Sequence, residues 1–114
     1  MTPGQIVKVI WRDALPGTQE PNKMRPGIVV SSARLYYKIA FALIVPLTGS
    51  EELAIADASV QIEPTPKNGC TKTNYALSWN VQCVPYARLT ETPSTISDAI
   101  LAAIRKQIGV CIDR

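Results

Sequence analysis

The chain of 114 residues contains no histidine. Imidazole is the one side chain whose ordinary pKa lies near neutral pH, and it is the commonest metal ligand. Its absence excludes serine–histidine and cysteine–histidine nucleophiles, the paired-histidine scheme of ribonucleases and most zinc sites. Any acid–base chemistry must therefore be assembled from carboxylates, hydroxyls, phenols and basic side chains.

Cysteines and long apolar runs are also scarce. Cys70, Cys83 and Cys111 are odd in number and widely spaced, which is typical of reduced thiols and unlike a disulfide framework or a paired-cysteine metal site. The longest apolar run, residues 39–47, is about half of the ~20 residues that span a membrane, and the first residues do not resemble a signal peptide. We therefore expect a soluble, cytoplasmic protein with no membrane partner.

The composition is that of a folded protein. Apolar residues make up 46% of the chain and charged residues 18%, whereas disordered chains are poor in apolar residues and rich in charge. At roughly 100–200 residues per domain, the length predicts a single domain over residues 1–114. The net charge of +3 is a mild basic bias that is compatible with phosphate or acidic peptide partners and identifies neither.

Short apolar stretches separated by turn residues predict that most of the chain is β-sheet. Residues 39–45 are continuously apolar, as in a strand buried on both faces, and Pro46 is predicted to end that strand. Pro26 is predicted to begin another, because proline fits the first position of a strand. In total, five stretches are predicted to form strands: residues 5–12, 26–30, 39–45, 53–63 and 75–84.

The C-terminal segment has a different period. Isoleucine recurs every four residues at positions 96, 100, 104 and 108, which predicts an amphipathic helix whose apolar stripe packs on the core. Thr95 is the predicted cap and Gly109 the predicted stop. Several short strands followed by one helix predict a mainly β fold, a small curved antiparallel sheet or barrel with a C-terminal helix.

Two groups of polar residues stand at predicted strand ends. Arg25 precedes Pro26, which restricts the arginine to extended geometry, and a guanidinium held there can fork to phosphate oxygens. Thr48 and Ser50 follow the most buried strand and add hydroxyls. Taken singly, such an arginine is more often a surface charge and such a threonine a turn residue; taken together, they form a reasonable anion site.

The order and spacing of these motifs resemble the MazF/PemK family of toxin endoribonucleases. The matching segments are Gly-Thr-Gln-Glu at residues 17–20, Arg-Pro-Gly-Ile-Val-Val-Ser at residues 25–31 and Val-Pro-Leu-Thr at residues 45–48. The resemblance continues through Asn68-Gly69, the strand near residues 75–84, the stretch 87–89 and the final helix, so it covers most of the chain.

The resemblance implies an SH3-like barrel of the MazF/PemK/CcdB type. It also implies a homodimer that cleaves single-stranded RNA without a metal or other cofactor, and an antitoxin partner with an acidic, disordered tail. The family's arginine, which stabilises charge on the phosphate, falls on Arg25, and its phosphate-binding threonine falls on Thr48. Its loop carboxylate falls on Glu20 or Gln19, depending on the direction of counting, and we favour Glu20 because only Glu20 can ionise.

Some positions depart from the family pattern. Gly49 stands where many members have a serine or threonine, and Ser50 follows one position later. Trp79 replaces an acidic residue; it is either a core or dimer aromatic or a platform for an unpaired base. Asn80 beside it reads a base edge or caps a turn. By resemblance and position, six residues are predicted to contact RNA: Gln19, Asn22, Lys23, Ser50, Trp79 and Asn80.

Two alternatives stay open at this point. The same fold is used by CcdB-like toxins that poison gyrase through C-terminal residues, but those typically lack the Arg-Pro motif and end in bulky apolar or aromatic residues, whereas this sequence ends in Asp113-Arg114. A toxin-like binding protein without activity is the other alternative, and it is suggested by Trp79 and Gly49. The Arg-Pro and threonine motifs favour the nuclease.

Overall fold

A computed structural model describes residues 1–11 and 23–113. Its strands pair antiparallel throughout, in the order β4-β5-β3-β2-β1-β7, and β6 pairs with β3 off this path. The strands are β1 (Gln5–Ile10), β2 (Met24–Val29), β3 (Phe41–Thr48), β4 (Val60–Ile62), β5 (Asn74–Ala76), β6 (Gln82–Pro85) and β7 (Leu89–Thr95). The helices are α1 (Ala33–Ile39) and α2 (Asp98–Ile112), and short 3-10 turns lie at Glu51–Leu53, Ser78–Asn80 and Tyr86–Arg88.

Strand β3 is the centre of the sheet and changes partner along its length. Its first half pairs with β6 through Ile44, and its last two residues pair with β5. Pro46 lies between the two partners, and its carbonyl accepts the N–H of Leu77 at 2.9 Å. The N–H and C=O of one strand residue point to the same side. The nitrogen of Pro46, which carries no hydrogen, therefore faces the gap between β6 and β5. The strand continues past Pro46 to Thr48, so the prediction that Pro46 ends it was wrong.

Strand β2 also contains its proline inside the strand. It begins at Met24, two residues before Pro26, so the prediction that Pro26 begins the strand was wrong. The carbonyl of Lys23 accepts the N–H of Trp11 at 3.5 Å, so alternate residues, Arg25 among them, direct their backbone groups toward β1. The nitrogen of Pro26 therefore points toward β3. Pro26 is not part of the β2–β3 pairing, whose last pair is Gly27 with Pro46.

The remaining predicted elements are found with shorter or shifted bounds. Only residues 60–62 of the stretch 53–63 form a strand, and the stretch 75–84 divides into β5 and β6 around the turn Ser78–Asn80. The cap of α2 is Ser97 and not Thr95, since its side chain accepts the N–H of Ile100 at 3.2 Å. The helix continues past Gly109, where a side chain would meet nothing within 4 Å.

Two apolar clusters hold the sheet, one on each face. Side chains alternate between faces along a strand, so Ile6 joins one cluster while Val7 and Val9 join the other. The first cluster includes Leu101 and the fully buried Ile104, which confirms that the isoleucine stripe of α2 packs on the core. The predicted fold class is thus confirmed: a mainly β protein with a C-terminal helix. No helix within residues 1–11 and 23–113 is long and apolar enough to cross a membrane.

Candidate functional site

The candidate site lies where β2 begins and β3 ends. The two strands are paired at Ile28 with Val45 and at Gly27 with Pro46. Continuing this register by two residues places Arg25 opposite Thr48. Opposite residues of an antiparallel pair project to the same face of the sheet. The fold therefore places on one face two of the three residues that the sequence predicts to be catalytic, although they are 23 positions apart along the chain.

The hydroxyl of Thr48 is oriented by the chain that follows it. Its Oγ1 accepts the backbone N–H of Ser50 at 3.1 Å, and the residue is half-buried. A threonine hydroxyl has one donor proton and two acceptor lone pairs. No acceptor for that proton is found within residues 1–11 and 23–113, so the hydroxyl can donate to an anion that also contacts the half-buried Arg25.

Gly49 makes room for a lysine beside Thr48. A Cβ at position 49 would lie 2.5 Å from Cε and 2.8 Å from Nζ of Lys72. The lysine chain therefore occupies the space that a serine or threonine side chain would need. Its exposed ammonium brings a positive charge to the end of β3, close to the Arg25–Thr48 pair. The departure from the family pattern at Gly49 thus has a physical reason in this chain.

A groove of about 620 Å³ adjoins the pair on the opposite face of the strands. Pro26 and Leu47, the chain neighbours of Arg25 and Thr48, line it together with Lys8 and Lys72. Glu91 on its far wall forms an ion pair with the terminal amine of Met1 at 3.3 Å, which offsets that negative charge. The groove therefore favours anionic groups over cationic ones.

Trp79 and Asn80 lie on the turn Ser78–Asn80 between β5 and β6. The indole N–H of Trp79 donates to the carbonyl of Leu53 at 3.4 Å, and Asn80 Oδ1 accepts from Gln82 Nε2 at 3.0 Å. The same turn is tied to α2, because the hydroxyl of Ser78 donates to Gln107 Oε1 at 2.7 Å. In the described part of the chain, no hydrogen bond joins Trp79 or Asn80 to Arg25 or Thr48.

The other predicted contacts have different positions. Ser50 is exposed and directly follows the Thr48-Gly49 pair, and Lys23 is exposed just before β2. Gln19, Glu20 and Asn22 lie outside the described residues.

Two further features concern cysteine and metals. Burial raises the pKa of the Cys70 thiol, and a hydrogen bond with Asn74 offsets part of that effect. A thiol whose pKa is raised is a poor nucleophile near neutral pH, so Cys70 is not suited to nucleophilic chemistry there. Across residues 1–11 and 23–113, no three cysteine or acidic side chains cluster in a way that could hold a metal ion.

Tyr75 is a residue of this site that the sequence pattern does not predict. Thr48 is paired with Tyr75 of β5, and Tyr75 is paired in turn with Gln61 of β4. One row across four strands therefore contains Arg25, Thr48, Tyr75 and Gln61, all projecting to one face. The one feature of the sequence that points to Tyr75 is its position at the start of an apolar stretch. That position does not determine which residue of β3 Tyr75 is paired with.

The fold is that of a small, mainly β protein with a C-terminal helix, and Arg25 and Thr48 stand at the ends of its two central strands. The sequence profile of the PemK-like, MazF-like toxins of type II toxin–antitoxin systems matches residues 2–112. The chain belongs to this family of toxins. None of the curated proteins matches the sequence.

Solved structures with the same fold include several of these toxins. An endoribonuclease from a mycobacterial species, in complex with its cognate antitoxin, is 16% identical, with a TM-score of 0.74 over 98% of this chain and 94% of that one. MazF from Deinococcus radiodurans is 20% identical, with a TM-score of 0.70 over 96% and 94%. Toxin MazF-mt6 from Mycobacterium tuberculosis is 15% identical, with a TM-score of 0.70 over 94% and 95%. These similarities concern the fold.

Proposed function

We propose that the protein is a metal-independent endoribonuclease that cleaves single-stranded RNA in the cytoplasm, as the toxin of a type II toxin–antitoxin system. The observation that carries this proposal is the β2–β3 pairing, which extends to Gly27 and Pro46 and, continued by two residues, would set Arg25 opposite Thr48 on one face of the sheet. A guanidinium and a hydroxyl donor on the same face of two neighbouring strands are suited to a phosphodiester whose negative charge increases during the reaction. Membership of the toxin family supports the assignment.

The proposed reaction uses the substrate's own nucleophile. The ribose 2′-oxygen attacks the adjacent phosphorus, the bond from phosphorus to the 5′-oxygen breaks, and the products are a 2′,3′-cyclic phosphate and a 5′-hydroxyl. The proton of the 2′-hydroxyl passes to a base, for which Glu20 is the proposed residue. Another proton must reach the departing 5′-oxygen. Arg25 offsets the charge on the phosphoryl oxygens and is the proposed source of that proton, and Thr48 orients the phosphate.

The adjoining groove supports the assignment of RNA and an acidic antitoxin tail as competing ligands. Lys8 and Lys72 can contact backbone phosphates of a strand that continues past the cleaved bond, and the other proposed contacts are Gln19, Asn22, Lys23, Ser50, Trp79 and Asn80. The same cations suit the carboxylates of a disordered antitoxin tail. Antitoxin complexes of toxins with this fold, from a mycobacterial species and from Deinococcus radiodurans, support such a partner.

An exposed apolar surface supports a homodimer. Ile39 is 52% exposed, and Phe41 and Leu43 are each 37% exposed on one face of β3. Opposite them on β6 lie Pro85 and the exposed Cys83. Contiguous apolar surface of this kind is typical of a protein interface. Replacing Leu43 by glutamate should halve the molar mass measured by light scattering, whereas Ile55→Glu, at another exposed apolar residue, should not.

The decisive experiment is cleavage of a long single-stranded RNA in EDTA, followed by sequencing of the fragment ends. We expect cuts with 5′-hydroxyl ends that disappear in Arg25→Ala and persist in Lys106→Ala, which removes one exposed positive charge on α2. Intact RNA together with growth arrest on expression would instead favour a gyrase-poisoning toxin. Intact RNA without growth arrest would favour an inactive binding protein.

A further inference from the structure

Tyr75 stands directly beside the proposed phosphate site. It is the residue paired with Thr48 across β3 and β5. The Cβ atoms of residues directly opposite one another in an antiparallel sheet are about 4.5–5.5 Å apart. The side chain of Tyr75 therefore leaves the backbone next to that of Thr48, on the face that also carries Arg25. On its other side, the amide of Gln61 is engaged, since it donates to Glu63 at 2.7 Å.

Among the described residues, no aromatic ring contacts that of Tyr75. The chain contains four tyrosines, and Tyr36 contacts the other two, with ring centroids 5.3 Å from Tyr37 and 5.1 Å from Tyr86. Within residues 1–11 and 23–113, neither a ring contact nor a hydrogen bond of the Tyr75 side chain is found. The residue is half-buried, so one part of the ring is held by the sheet while another part faces solvent.

A flat aromatic surface beside a phosphate site is suited to an unpaired nucleobase. Stacking on an aromatic side chain is the usual way in which proteins hold the splayed bases of single-stranded RNA. Trp79 is less well placed for this role beside Thr48. It lies four residues further along the chain, and its indole N–H is already engaged with Leu53.

We propose that Tyr75 is a substrate-contacting residue whose ring stacks on the base next to the phosphate that Arg25 and Thr48 hold. This proposal rests on the proposed function and adds to it a side chain that contacts a base and not the backbone. Stacking needs the ring and not the hydroxyl, so phenylalanine is a sufficient substitute at this position and leucine is not.

Binding to a single-stranded oligouridylate of eight nucleotides tests the proposal without a known cut site. Both ligands carry 2′-deoxy sugars, which prevents cleavage, and the matched ligand is the same sugar-phosphate chain with every base replaced by hydrogen. Tyr75→Leu should weaken binding of the oligomer with bases by about 5- to 150-fold, and Tyr75→Phe should bind it like the parent protein. On the abasic chain, Tyr75→Leu and the parent protein should bind equally.

The outcomes separate this proposal from the nuclease proposal. An equal loss on both ligands would mean that leucine disturbs the fold or the phosphate site, and it would overturn stacking, as would the absence of any loss. Base-dependent loss in a protein that never cleaves RNA would support the Tyr75 proposal and refute the nuclease. Cleavage that depends on Arg25, without a base-dependent loss of binding in Tyr75→Leu, would support the nuclease and refute the Tyr75 proposal. Unchanged thermal unfolding of Tyr75→Leu verifies that the variant is folded.

Discussion

Replacing Thr48 by valine separates the chemistry of its hydroxyl from the structure of the strand. The two side chains have nearly the same shape, and both suit a β-strand. The structural loss is one hydrogen bond, from the N–H of Ser50 at 3.1 Å, in an exposed position where water can replace it. We therefore expect the free energy of unfolding to fall by no more than about 1 kcal/mol.

The effect on cleavage should be much larger. If the hydroxyl donates to a phosphoryl oxygen in the transition state, its removal costs about 10²–10³-fold in kcat, as for other preorganised donors. That corresponds to about 2.7–4 kcal/mol, several times the expected loss of stability. Thr48→Ser keeps the donor and should recover most of the rate.

Single-turnover cleavage of a labelled single-stranded RNA in EDTA, together with urea denaturation of each variant, measures both quantities. Thr2→Val is the matched control, because it removes an exposed hydroxyl before β1, at the end of that strand distant from Arg25. A loss of less than about tenfold in Thr48→Val, or a serine variant as slow as the valine variant, would refute the assignment of Thr48 as a phosphate donor.

Three further predictions follow from individual contacts. Gly49→Ala should displace the flexible end of Lys72, because the new Cβ would lie 2.5 Å from its Cε. The free energy of unfolding should change by less than about 1 kcal/mol. The salt dependence of RNA binding, measured by fluorescence anisotropy, should weaken. Gly27→Ala should destabilise by about 1–3 kcal/mol in urea denaturation, because its Cβ would lie 2.5 Å from Ile44 Cγ2 in a packed core, and an unchanged midpoint would contradict that packing. Cleavage should show no step near ~6.5 in a pH–rate profile, since the enzyme has no imidazole, and such a step would contradict a mechanism built on Arg25, Thr48 and a carboxylate.

The elements with a strong apolar period were predictable from the sequence. The isoleucine stripe of α2 and the apolar stretch of β1 pack as their periodicity indicates, whereas β3 is buried on both faces only from Ile44 to Leu47 and exposes Phe41 and Leu43. Helix α1 was not predictable, because it buries none of its residues and so has no apolar stripe. Strand β7 was missed for a similar reason, since Leu89 is its one buried residue.

The residue types of the site were predictable, but their neighbours were not. Arg25 and Thr48 could be recognised from motifs, because Arg25 directly precedes Pro26 and Thr48 follows Pro46 by two residues, each at the edge of an apolar stretch. The pairing of Tyr75 with Thr48 depends on the register of β5, a strand of three residues, and a one-residue slip would send every side chain to the other face. From the sequence alone, Gly49 could be recognised only as a departure from the family pattern. The structure gives its physical reason, because the side chain of Lys72 occupies the space beside it.

The two prolines that the sequence assigned to strand ends explain why an open site exists inside a continuous sheet. Pro26 directs its nitrogen toward β3 and has no N–H to donate, so the β2–β3 ladder stops at Gly27. Both strands nevertheless continue past that point, because β1 holds Arg25 from one side and β5 holds Thr48 from the other. The arginine and the threonine thus lie on paired backbone, while the two strands are not paired with each other at that point, which is the arrangement that the proposed phosphate site would use.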